Sequence, residues 1–98
     1  MKNIILHLEK CIWLLKECGY SDKAKWFETE ISKLKSSNPT TIKNSLNDIN
    51  SILTGMGSFS DLPLIPSESS SLNANQAREL QWNLIDELGK KISTELEE

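Results

Sequence analysis

His7 and Cys11 stand four residues apart in KNIILHLEKC, a stretch whose apolar residues recur at helical spacing, so both side chains share one helix face. An imidazole and a thiol one turn apart supply two zinc ligands, but a zinc site takes three or four, and no further ligand lies nearby in the sequence. Cys18 is seven residues beyond Cys11. On a helix that spacing separates the backbones by about 10 Å, too far for a disulfide. Both are read as reduced core thiols of a reducing compartment. Asp86 and Glu87 are adjacent and so point about 100° apart on a helix, with no buried setting to tune either for acid–base work. No catalytic residue, metal or cofactor is expected, and the chain is not read as an enzyme.

Two further stretches invite a chemical reading. Gly55-Met-Gly57 within ILTGMGSFSDLPLIP has the glycines of a phosphate loop. Such a loop joins a strand to a helix N-terminus and is followed by a lysine. Here a helical pattern precedes Gly55 and no lysine follows at that spacing. A turn built by Ser58 and Asp61, leading into an extended Pro63–Pro66 segment, explains the composition better. Lys23, Lys25, Lys33 and Lys35 cluster on one helical stretch, but they alternate with Glu28 and Glu30. The whole chain carries a net charge of −3, which repels phosphate, so no nucleic-acid binding is expected.

The elements that position these residues are four helices. Ile4, Leu8, Cys11, Ile12, Leu15 and Cys18 form an apolar stripe over 2–18 that Gly19 is placed to end. Ser21 is the expected cap of a second helix over 22–36, with Ala24, Phe27, Ile31 and Leu34 inward. Thr40 is the expected cap of a third over 41–54, with Ile42, Leu46, Ile49 and Leu53 inward and Gly55 ending it. Asn73 and Gln76 have the spacing of a capping box ahead of a fourth helix over 74–96. Its stripe is Ala77, Leu80, Leu84, Leu88 and Ile92, widened by Ile85 and Leu96. No segment alternates with period two. The expected fold is all-α: one domain over 1–98, a small four-helix bundle with one long loop, 55–73, before the last helix.

With 98 residues, 38% hydrophobic and 26% charged, the composition is that of an ordinary folded domain. No apolar run is long enough to span a membrane. The N-terminal stretch is interrupted by His7, Glu9 and Lys10 and lacks a cleavage site, so a cytoplasmic location is expected. Charge divides unevenly: residues 1–44 hold eight lysines against five acidic side chains, and residues 45–98 hold three basic against nine acidic. The tryptophans Trp13, Trp26 and Trp82 all fall off the main stripes. Leu6 and Trp13, seven apart on one face, are expected to be buried beneath a neighbouring helix. Trp82, with Glu79 and Asp86 near it on one helix face, is the expected partner contact. If the Phe59–Pro66 segment is exposed, it becomes a competing contact surface.

KAKWFETEI, LTGMGSFSDLPL and NQARELQWNLIDELGKKI together resemble a family of small, uncharacterised all-α bacterial proteins. The likeness spans most of the chain, and Gly-Met-Gly-Ser-Phe-Ser-Asp-Leu is its most specific element, with Trp26 a second marker. Pro63, Pro66 and Ser69 to Ser71 lie outside it. The resemblance implies a helical domain without catalytic residues. In size and character such proteins resemble the immunity proteins of toxin–immunity systems. On that analogy the chain is expected to bind and neutralise a cognate protein toxin, such as a basic nuclease that an acidic inhibitor meets quickly. The expected contact residues are Trp82, Glu79, Asp86 and Asp48, with Asp61 on the loop. The alternative is a self-associating structural or adaptor module, a homodimer in which the basic half of one chain meets the acidic half of another.

Overall fold

The computed structural model describes residues 1–53, 59 and 62–97. It is built from α1 (Lys2–Glu17), α2 (Ser21–Leu34), α3 (Pro39–Leu53) and α4 (Ala74–Glu97), with no strand among the described residues. The architecture is the expected all-α four-helix bundle with a long connection before the last helix. The expected loop turn at Gly55, Met56, Gly57 and Ser58 lies outside the described residues, as does Asp61.

Local chemistry sets each helix boundary. After α1 the chain turns at Gly19, whose φ of 84° is open to glycine without strain. The Gly19 N–H donates to the Lys16 carbonyl at 3.2 Å and the Tyr20 N–H to the Leu15 carbonyl at 2.8 Å. This is a Schellman closure. It leads directly into α2, so Ser21 is already helical and Tyr20 holds the cap position without a side-chain cap bond. The expected Ser21 cap is therefore incorrect, because the tight corner and not the best capping side chain decides where α2 begins. Thr40 is likewise not the cap of α3. The Asn38 side-chain oxygen accepts from the N–H groups of Thr40 at 2.9 Å and Thr41 at 3.4 Å. Pro39 takes the first helical position, where its missing N–H costs nothing. The capping box at α4 forms as expected: Gln76 N–H to Asn73 Oδ1 at 2.8 Å, Asn73 N–H to Gln76 Oε1 at 3.0 Å.

Each helix packs on two others: α1 on α2 and α4, α3 on α2 and α4, while the diagonal pairs do not meet. Short corners reverse the chain between the first three helices. The ammonium of Met1 reaches Glu95 at 3.2 Å, so α4 runs back antiparallel to α1. The expected stripes line a common core, with Leu8, Cys11, Leu15, Ala24, Ile49, Ala77, Leu88 and Ile92 wholly enclosed. Leu14 joins them. Leu6 and Trp13 do not: they remain 49% and 45% exposed, against expectation. The reason is topological, since α1 has only two neighbours and both lie on its opposite side.

The connection from Phe59 to Asn73 closes the end of the bundle where α1 ends and α4 begins. Phe59 and Leu64 are buried and Leu62 is half-buried. The Phe59 ring meets Phe27 edge-on at 5.7 Å, and Phe27 meets Trp26 at 5.1 Å. Tyr20 donates its hydroxyl to the Pro63 carbonyl at 2.9 Å. The Ser67 N–H donates to the Glu17 carbonyl at 3.0 Å, and the Ser70 hydroxyl to its carboxylate at 3.1 Å. From the other side Gln81, 3% exposed, donates its amide to the Phe59 carbonyl at 2.7 Å and to the Leu62 carbonyl at 3.2 Å. Truncating Gln81 removes the donor to the Leu62 carbonyl and leaves the Phe59 carbonyl only the longer bond from the Leu62 N–H at 3.3 Å. Gln81→Ala is expected to cost about 1–3 kcal/mol by urea unfolding, while Asn83→Ala, on the exposed face of α4, stays within about 0.5 kcal/mol of the parent.

Candidate partner-binding interface

The capping box fixes where α4 starts, and the Gln81 amide fixes the chain at 59–62 against it. Trp82, one residue on, is thereby turned out of the core to the flank of α4, 49% exposed. The extended strip from Leu62 to Ile65 runs beside it. Leu64 points into the core at 6% exposure, and alternation turns Ile65 outward at 71%. The Phe59–Pro66 segment is thus split, its buried residues anchoring it and Pro63 and Ile65 standing in solvent. Between strip and helix lies a groove of about 430 Å³ lined by Leu62, Pro63, Ile65, Ala74, Arg78 and Trp82, among others. Beyond the indole a second hollow is bordered by Asn75, Arg78, Glu79, Trp82 and Asn83. Trp82 is the ridge between them.

The residues expected at an interface are only partly brought together. Glu79 borders the second hollow beside Trp82. Asp86 is exposed one turn on, and Lys90 reaches its carboxylate at 3.1 Å. The hydrogen bond to Asp86, reinforced by the charges of Asp86 and Glu87, raises the Lys90 pKa, so this carboxylate already has a cation. Asp48 lies on the exposed face of α3 and borders neither hollow. Asp61 is outside the described residues. Counted over the helices alone, the charge asymmetry is milder, because several of the charges lie in the connections and at the C-terminus. The α1 and α2 helices carry six basic and five acidic side chains, and α3 and α4 four and six.

The structure adds a residue that sequence reasoning missed. Arg78 completes the groove with Ile65, which belongs to the segment expected as a contact surface if exposed; Arg78 could have been found as the residue one turn before Trp82. Glu30 was taken as part of an alternating charged surface, yet it is 2% exposed. Its carboxylate lies 3.0 Å from the Ser45 hydroxyl and 3.4 Å from the Lys33 ammonium. A carboxylate paired in this way ties α2 to α3 and is structural. Trp26 and Phe27, with Ile52, Phe59 and Leu62, line a further cavity of about 330 Å³.

Among the described residues no group of three or more His, Cys, Asp or Glu side chains is disposed to hold a metal ion. No helix among them is long and apolar enough to cross a membrane. Both thiols are free. Burial pushes the Cys11 thiol from an ordinary value near 9 up to about 12, and burial followed by the nearby Glu17 charge raises Cys18. Both thiols are therefore predominantly protonated at neutral pH, which lowers their reactivity. Comparison of the chain with protein families, curated proteins and solved structures finds no match.

Because the folded protein holds the Cys11 proton more tightly than the unfolded chain does, this stabilisation is complete below the unfolded value near 9. It is lost as pH climbs toward about 12. Between those limits each pH unit removes about 1 kcal/mol. Denaturant titrations across that range are expected to show a steeper loss of stability for the parent than for Cys11→Ala, whose stability starts lower.

Proposed function

We propose that this chain is a small immunity-type inhibitor that binds and neutralises a cognate protein toxin, with the Trp82 ridge and its groove as the contact. The observation that carries the reading is the pairing of a half-exposed indole with an exposed Ile65 across a groove whose wall is pinned from beneath by Gln81. A large aromatic surface beside a pre-formed slot of mixed polar and apolar lining has the makings of a binding hot spot, because little ordering is needed when a partner docks.

In this reading an apolar side chain of the toxin enters between Ile65 and Trp82, and polar groups around it meet Arg78 and Glu79 at the rim. The net charge of −3 favours a basic partner such as a nuclease, mostly by speeding encounter. Asp86 has a smaller part than Trp82, since a toxin cation must displace or join Lys90 to use it. The reading assigns the protein's work to the cytoplasm, where Cys11 and Cys18 stay reduced.

The test begins with the toxin recovered by affinity capture on tagged protein from the source bacterium, then titrated calorimetrically. Trp82→Ala is expected to weaken the complex by at least about 2 kcal/mol, roughly thirtyfold, while Asp48→Ala leaves it unchanged. An undiminished affinity in a folded Trp82→Ala variant removes the groove from the interface.

A further inference from the structure

The outer face of α1 has no counterpart in the inhibitor reading. Leu6 and Trp13, 49% and 45% exposed, stand one above the other two turns apart, on the side of α1 turned away from α2 and α4. Charged residues flank them on both sides. At 100° per residue Glu9 falls about 50° to one side of the Leu6–Trp13 line and Lys10 about 50° to the other. Lys16 lies on the Glu9 side and Glu17 on the Lys10 side. At two levels the flanks carry opposite charges, Glu9 beside Lys10 and Lys16 beside Glu17, while at the start of the helix Lys2, on the Glu9 side, stands beside the uncharged Asn3.

That pattern distinguishes between the two ways a helix can pair with its own copy. In an antiparallel pair that buries both apolar residues, Leu6 lies against Trp13 of the second copy, so the two-fold axis passes midway between them and brings each flank against the same flank of the other chain. Glu9 then faces a second Glu9, and Lys10 a second Lys10. In a parallel pair each flank meets the opposite one, so Glu9 faces Lys10 and Lys16 faces Glu17, each contact occurring twice by symmetry. Leu6 then meets Leu6 and Trp13 meets Trp13 on the axis. Neither Glu9 nor Lys10 has an ion-pair partner within the chain among the described residues, so both are open to this use. Lys16 already bridges to Glu28 at 3.1 Å, and the Glu17 carboxylate accepts from Ser70, which makes the Glu9–Lys10 pair the principal one.

We propose that the exposed face of α1 is a homodimer interface, in which two copies pair in parallel about a two-fold axis through Leu6 and Trp13, held in register by Glu9–Lys10 contacts. The face is about 24 Å long. One helix face a side falls short of the roughly 1,200–2,000 Å² of a standard stable interface, so the dimer is reversible, with dissociation in the micromolar range or weaker. It is independent of the toxin-binding reading, being on another helix and needing no other protein.

Sedimentation equilibrium of the full chain from about 10 μM to 1 mM at low salt reads the dimer directly. The expected result is a monomer–dimer equilibrium that Glu9→Lys weakens about tenfold or more, by setting like charges opposite one another. The double exchange Glu9→Lys with Lys10→Glu restores it, and Trp82→Ala leaves it intact. In a Cys18→Ser background, Leu6→Cys is expected to oxidise to a covalent dimer, since the parallel axis brings the two copies of position 6 together. A monomer throughout the range overturns the proposal. So does a dimer indifferent to Glu9→Lys, or one lost with Trp82→Ala. Circular dichroism of each variant separates lost pairing from lost folding.

Discussion

The carboxamide of Gln81 is the constraint on which the rest of the molecule's shape depends. A long connection leaves α3 and must re-enter the bundle at α4, and its backbone polar groups need partners wherever it is enclosed. Gln81 supplies them from inside the helix, donating to the Phe59 and Leu62 carbonyls. Phe59 can then complete the aromatic packing with Phe27, and Leu64 can fill the bundle end. Alternation along an extended strip does the rest: once Leu64 is inward, Ile65 is outward. The groove beside Trp82 thus follows from closing the core, with no separate device to build it.

Much of the fold was legible in the sequence because apolar periodicity is a local signal. Leu8, Leu15, Phe27, Ile49, Leu84 and Ile92 were assigned inward from spacing alone and are inward. Gly19 and the Asn73–Gln76 box were readable for the same reason, each being a short motif with one geometry. Ser21 and Thr40 misled because a cap depends on where the preceding corner releases the chain. At α3, Pro39 begins the helix two residues before the expected start.

What the sequence concealed depends on neighbours. Glu30, Ser45 and Gln81 are polar residues inside apolar stripes. By composition they belong at the surface, and only the partners the fold brings to them explain their burial. Leu6 and Trp13 failed in the opposite sense. Two apolar residues on one face suggest a covering helix, but a ring of four helices gives each member only two neighbours. The candidate interface shows the same division. Trp82 could be singled out from its place off the stripe, whereas Ile65 and Arg78 needed the path of the connection to be known.

The most direct test of this account is the exchange of the Gln81 side-chain amide protons, followed by nuclear magnetic resonance on the isolated protein. Bound to two carbonyls in the interior, they are predicted to exchange with solvent far more slowly than those of the exposed Asn75 and Asn83. Exchange as fast as at those positions would mean that the strip is not held against α4, and the groove would lose the wall that Trp82 faces.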